Sequence, residues 1–130
     1  MNKQLKQLSQ VRDFHSAFGH PVGLEPKFPN SDRCALRIHL INEEAEEFSE
    51  AVMKQDIVEA ADAICDLLYV IYGAALEFGL GGRLEEMFDE VHRSNMSKLD
   101  DKGRPITRAD GKTMKSLNFT PPDLKSIINR

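Results

Sequence analysis

Two groups of carboxylates stand out in this chain of 130 residues. Glu43, Glu44, Glu46, Glu47 and Glu50 crowd one short segment, and Asp62 and Asp66 lie four residues apart in a run otherwise built of Ala, Ile, Leu, Val, Cys and Tyr. An unpaired carboxylate in apolar surroundings costs several kcal/mol, so such a group must be ion-paired, protonated or bound to a cation. The segment from Ile57 to Phe78 holds no Lys or Arg, so a basic partner for Asp62 or Asp66 would have to come from the first helix, the fourth helix or the tail. A set of carboxylate oxygens gathered in one place suits hard divalent ions such as Mg²⁺ or Mn²⁺.

The elements that would position these acids read as helices almost throughout. Leu5, Leu8, Val11, Phe14 or His15, and Phe18 recur at helical spacing and predict a first helix from Lys3 to Phe18, ended by Gly19-His20-Pro21. Pro21, Gly23, Pro26 and Pro29 make residues 19–31 a loop. Ser31 or Asp32 is expected to cap a second helix running to Lys54, and Asp56 a third running to Phe78 before Gly79. Cys34, Ile38, Ile41, Ala45, Phe48 and Val52 form a seam along the second helix at alternating steps of four and three. The third is apolar nearly all round, which implies burial on most faces. A fourth helix is expected from Leu84 to Ser97, then a looped tail with a short closing helix at 122–129 and no convincing sheet. The fold class is therefore all-α: one domain over 1–130, a compact four-helix bundle with a looped basic C-terminal tail.

Helical geometry puts Glu44 and Glu47 at the border of the apolar stripe and Glu46 and Glu50 on the solvent side. If the second and third helices fold back at residues 54–56, positions whose numbers total about 110 face each other. Glu44 then faces Asp66, and Glu47 faces Asp62 or Ala63, so that the carboxylates converge and repel unless cations sit among them. A di-iron carboxylate bundle needs Glu-x-x-His pairs on two helices. Only Asp89-x-x-His92 approaches that pattern.

Charge is divided along the chain. Residues 1–90 hold 8 Lys and Arg against 17 Asp and Glu, whereas residues 91–130 hold 9 against 4. Arg93 and Lys98 close the fourth helix, where cations are favoured anyway. Arg108-Ala109-Asp110-Gly111-Lys112, followed by Lys115, brackets a glycine with cations that can wrap an anion. The acidic remainder argues for a small phosphate ligand rather than nucleic acid. No Gly-x-x-x-x-Gly-Lys loop is present. Cys34 and Cys65 read as small buried hydrophobes in a reducing compartment. Asp62, Asp66 and Glu77 interrupt the longest apolar stretches, and the polar first ten residues lack a signal core, so a cytoplasmic protein without a membrane partner is expected.

Glu43-Glu44-Ala45-Glu46-Glu47, with Asp62-Ala63-Ile64-Cys65-Asp66 and the following Leu67-Leu68-Tyr69-Val70, resembles the MazG-like all-α nucleoside triphosphate pyrophosphohydrolases. Their signature is Glu-Glu-x-x-Glu, a spacer and Glu-x-x-Asp. Glu90-Val91-His92-Arg93-Ser94-Asn95-Met96-Ser97-Lys98 and the Asp110-Gly111-Lys112 element are similar to the branch that includes the MazG-like dUTPases. One position departs: Ala63 stands where the signature has Glu, with Asp62 as the substitute and Glu59 in reserve. The resemblance implies a Mg²⁺-dependent hydrolysis of a nucleoside triphosphate to a monophosphate and pyrophosphate. It makes Glu44, Glu47, Asp62 and Asp66 metal ligands and Glu43 the residue that orients or deprotonates water. Arg93, Lys98, Arg108, Lys112 and Lys115 would neutralise phosphate charge, and Asn95 would read a base or sugar. Phe14, His15 and Phe18 would wall the base pocket, the phenylalanines packing first into the core. A homodimer or higher homo-oligomer is implied as well. Phosphoribosyl-ATP pyrophosphohydrolase is the nearest enzyme alternative, and the tail from 98 to 115 argues against it. A non-enzymatic helical module binding nucleotide or metal is the other.

Overall fold

The computed structural model describes residues 5–130 and is all-α, with four long helices and one very small sheet. The chain divides after Gly82 into two compact units. The first unit holds α1 (Lys6–Phe18), α2 (Ser31–Met53) and α3 (Ile57–Glu77), followed by a 3₁₀ turn over Gly81–Arg83 that spans the division. The second holds α4 (Leu84–Met96), β1 (Ile106–Thr107), β2 (Thr113–Met114) and α5 (Leu124–Ile128).

The helix starts follow from local chemistry. Asn30 caps α2 by accepting a 2.9 Å hydrogen bond from the Arg33 backbone N–H, so the cap lies one residue before the expected Ser31. Asp56 caps α3 as expected, accepting from the backbone N–H groups of Val58 and Glu59. The expected start of α1 at Lys3 lies outside the described residues, and Leu5 is the N-cap. Gly79 follows α3 at φ 70°, in a space where a Cβ would strike the Glu25 carbonyl. Only glycine lets the 19–30 loop approach here, and the loop is stitched to α3 by Gly23 N–H to Leu76 O at 2.8 Å and Lys27 N–H to Phe78 O at 3.0 Å.

The α2–α3 connector is very short. Lys54, Gln55 and Asp56 separate the helices, and Gln55 takes φ 54°, unusual for a residue with a side chain. The Gln55 and Asp56 N–H groups bond back to Val52 O and Ala51 O. The antiparallel pair that results follows the expected register. Arg33 meets Glu77, whose carboxylate is wholly buried, through Nε and Nη2 donors at 2.8 Å each, and Arg37 Nη1 donates to the same carboxylate at 2.8 Å. Across from Arg37 stands Gly73, where a Cβ would lie 2.7 Å from Arg37 Nη2 and 3.0 Å from His15 Nε2.

Three expectations are corrected. Only half of the four-three seam of α2 is covered within the chain: Ile38 is 60% exposed, Val52 54% and Ala45 exposed too, Cys34, Ile41 and Phe48 are half-buried, and the buried residues are Arg37 and Ala51. Nor is α3 buried on most faces, since Ile57, Ile64, Leu68 and Ile71 are all exposed. Its packed line is Ala60, Ala63, Gly73 and Leu76. Small residues there let α2 approach closely, which leaves the larger side chains outside. Cys65 is likewise exposed, and both cysteines are free thiols.

Described by itself, the second unit is organised by α4. Arg93 bonds Glu90 at 2.7 Å, Thr120 Oγ1 at 2.7 Å and Pro121 O at 3.2 Å, and Glu90 also accepts from the Asp123 N–H. These bonds bring the chain back so that Met87 and Ile127 are buried. The tail was not expected to form a sheet, yet β1 and β2 pair antiparallel with Ile106 opposite Met114, around a turn containing Gly111 at φ 90°. Two residues per strand give no periodicity to read.

The Glu77 triad is expected to dominate the stability of the first unit. Glu77→Ala leaves two guanidinium groups without their anion and is expected to cost about 3–5 kcal/mol in denaturant unfolding. A loss under about 1 kcal/mol would show that the triad is not the clamp.

Candidate active site

Two turns along the α2–α3 pair from the triad, the acids meet. Carboxylate oxygens from Glu43, Glu44 and Glu47 all lie within 4.8 Å of one another. Glu44 is half-buried, with Oε2 enclosed and lacking a hydrogen-bond partner. Burial first, then a hydrogen bond to Glu47 and the charges of Asp66, Glu47 and Glu43, push its carboxyl up to about 7. Asp66 is raised too, by burial, the charges of Asp62 and Glu47, and a hydrogen bond to Asp62. These interactions tie the α2 and α3 acids into one electrostatic cluster, with Glu43, Glu47 and Asp62 on its exposed side. Ala63 is buried and carries no carboxylate, and it is Asp62 that acts on Asp66. Glu59 is exposed, and Asp66 feels Asp62 and Glu47 rather than Glu59. Glu43 also pairs with His39 one turn earlier at 3.2 Å, on the open helix surface.

The donor set fits a divalent cation. Its oxygens are hard and close together, and among the described residues it has no Lys or Arg salt-bridge partner. One buried oxygen lacks any bond. Protonation is the metal-free way to relieve the same crowding, and the Glu44 carboxyl, raised by burial and then by its acidic neighbours, takes that proton most readily.

The other expected site residues fall into two sets. His15 is corrected: it is 2% exposed, its Nδ1 donates to Pro21 O at 3.0 Å, and it belongs to the Arg37–Glu77 network rather than to a pocket wall. Phe14 and Phe18 are not core. Both lie exposed and stacked 4.3 Å apart, and Phe14 meets the Tyr69 ring edge-on at 5.5 Å. Arg93, Asn95, Lys98, Arg108, Lys112 and Lys115 belong to the second unit. There Arg93 is spent on Glu90 and the 120–121 segment, and Arg108 on Asp110 at 2.5 Å. Lys115 sits 4.5 Å over the Phe119 ring, and Asn95 and Lys112 are exposed. Lys98 is half-buried.

Sequence reasoning missed the polar network of Arg33, Arg37, Glu77, His15 and His20. Two signals pointed to it. Arg37 lies one turn before Ile41, on the stripe that carries Glu44. Gly73 interrupts an apolar helix, which is costly unless another group needs the space.

Because the Glu44 carboxyl is higher in the folded chain than its ordinary value of 4.5, the folded state holds the extra proton between about pH 4.5 and about pH 7. Its contribution to stability is present below that window and lost as pH rises through it. Without divalent cations, the melting temperature of the parent chain is expected to fall relative to Glu44→Gln as pH rises across the window. Parallel curves for the two chains would place Glu44 outside any coupled cluster.

Residues 11–95 match the family model of phosphoribosyl-ATP pyrophosphohydrolase, a span that includes all the acids of α2 and α3 and stops before the tail. Over 126 residues, 92% of this chain, the sequence is 38% identical to an uncharacterized protein of Acanthamoeba polyphaga mimivirus. The alignment covers 47% of that protein, so the chain spans about half the length of the curated relative it matches. Among the described residues no single helix is long and apolar enough to cross a membrane. With most of the chain matched and the fold all-α, this protein belongs to the phosphoribosyl-ATP pyrophosphohydrolase family, one of the MazG-like all-α pyrophosphohydrolases.

Proposed function

We propose that this chain is a Mg²⁺-dependent nucleoside triphosphate pyrophosphohydrolase, cleaving a ribo- or deoxyribonucleoside triphosphate, with dUTP or another non-standard nucleotide as the preferred class. The observation that carries it is the cluster of acids around Glu44, with its raised carboxyl and one orphaned buried oxygen, inside the segment that matches a pyrophosphohydrolase family. Glu44, Glu47, Asp62 and Asp66 hold the metal; Mn²⁺ satisfies the same oxygen donors. When bound, the metal neutralises the triphosphate and lowers the pKa of water. Glu43, exposed at the cluster edge and oriented by His39, positions the attacking water and takes its proton. The water oxygen joins the α-phosphorus as the α–β bridging bond breaks, releasing the monophosphate and pyrophosphate.

Lys98, Lys112 and Lys115 supply phosphate charge, with Asn95 as a reader of base or sugar. Arg93 and Arg108 are already paired within their unit, so their share is smaller than the sequence suggested. The exposed Phe14, Phe18 and Tyr69 offer rings for a base to stack on, Tyr69 standing one turn beyond Asp66.

Hydrolysis of phosphoribosyl-ATP is the second reading, favoured by the description of the matched family. Incubation with Mg²⁺ and a panel of nucleoside triphosphates, together with phosphoribosyl-ATP, separates the two. Pyrophosphate and a monophosphate are expected, and orthophosphate release would overturn the proposed cleavage. Binding without turnover of any compound would favour a non-enzymatic module. Glu47→Gln and Asp66→Asn are each expected to lower turnover at least about a hundredfold while the chain stays folded.

Self-association, as a homodimer or a higher homo-oligomer, accompanies this reading. Ile57, Ala61, Ile64, Leu68 and Ile71 repeat at steps of four and three on the exposed side of α3, as Ile38, Ala45 and Val52 do at steps of seven on α2. Ile64→Asp is expected to reduce the sedimenting mass. An unchanged mass would exclude that seam as the interface.

A further inference from the structure

His15 and His20 lie outside the acidic cluster, and their hydrogen bonds fix their protonation. The Pro21 carbonyl can only accept, so the His15 Nδ1 at 3.0 Å carries a proton. Its Nε2 shares the space over Gly73 with the Arg37 guanidinium, both within 3.0 Å of where a Cβ would sit. A proton on Nε2 would face that guanidinium. His20 is the mirror case: its Nδ1 lies 3.3 Å from Arg33 Nη2, which can only donate, so Nδ1 must hold a lone pair. The two rings are 5.3 Å apart.

The charges acting on this pair come from every packed element. Arg33 and Arg37 of α2 supply two cations and Glu77 of α3 one anion, already shared between both arginines. His15 belongs to α1 and His20 to the loop beyond it. Neither ring adds a negative charge, so a proton on the buried His15 raises an existing positive excess.

We propose that His15 and His20 form an acid-release latch that holds α1 and the 19–30 loop on the α2–α3 pair, closed while the buried His15 imidazole is neutral and opened when it takes up a proton. The His15 pKa lies below its ordinary value of 6.5, chiefly through burial, which agrees with this arrangement. The sign is that of a depressed histidine: its contribution is fully present above 6.5 and is lost as pH falls through the lower folded value. The attachments that would open are the stitches of Gly23 N–H to Leu76 O and Lys27 N–H to Phe78 O.

Amide hydrogen exchange on the whole chain at about pH 7.5 and about pH 5.5, corrected for intrinsic pH dependence, tests the latch. Peptides covering residues 5–30 are expected to lose protection on the order of tenfold in acid, those covering 43–47 are not, and the double variant His15→Gln/His20→Asn is expected to lose the pH response. Unchanged protection of 5–30 in the parent chain, or an acid response surviving in the double variant, would overturn the proposal. Should the variant fail to fold, nitrogen-15 spectra of the parent imidazoles decide: a proton on Nδ1 for His15 and on Nε2 for His20 is required, and either opposite tautomer refutes it.

Discussion

Arg33 and Arg37 closing on the buried Glu77 carboxylate is the interaction on which the rest of this molecule depends. Burying three charged groups is seldom a net gain in stability compared with apolar packing, but it is intolerant of misalignment. A slip of α3 by one residue would rotate Glu77 away from both guanidinium groups. The triad therefore sets the register of α2 against α3, and that register determines which acids meet two turns further on.

The same helix pair thus carries opposite electrostatic solutions at its two ends. Around Glu77 two guanidinium groups share one carboxylate, whose oxygens are both engaged, and of the buried donors there only Arg37 Nε lacks a partner. Around Glu44 the acids outnumber their partners, and the raised carboxyls of Glu44 and Asp66 record burial first and mutual repulsion after it. A satisfied network gives rigidity, whereas an unsatisfied one gives affinity for something else. The rigid end holds the strained end in place, much as an outer shell holds metal ligands.

Much of this was legible in the residues. The helices of the first unit, the Asp56 cap and the antiparallel register follow from spacing and capping chemistry, and the register brought Glu44 towards Asp66. What spacing could not reveal is which of two apolar stripes on α2 packs within the chain. Ile38, Ala45 and Val52 make the cleaner repeat, yet the line through Arg37, Glu44 and Ala51 faces α3, because Ala60, Ala63 and Gly73 admit a close approach there. Hydrophobic periodicity counts an arginine as an outward residue, so the buried Arg37 stayed hidden, whereas His15 was placed on a pocket wall by the resemblance although its spacing also allowed it on the apolar stripe. In the tail, Arg93 and Arg108 looked like free cations because their partners, Glu90 and Asp110, are so near in sequence that local pairing passes for mere composition.

The three-residue connector between α2 and α3 acts as a length standard. With Gln55 already in a left-handed conformation and Asp56 committed to the α3 cap, the turn has no slack in which to absorb an added or missing residue. An indel there would leave both helices intact as secondary structure while turning one against the other by about 100°. The acids would be dealt out around the cylinder instead of gathered. The residue count of that turn is therefore as much a part of the site as the acids themselves.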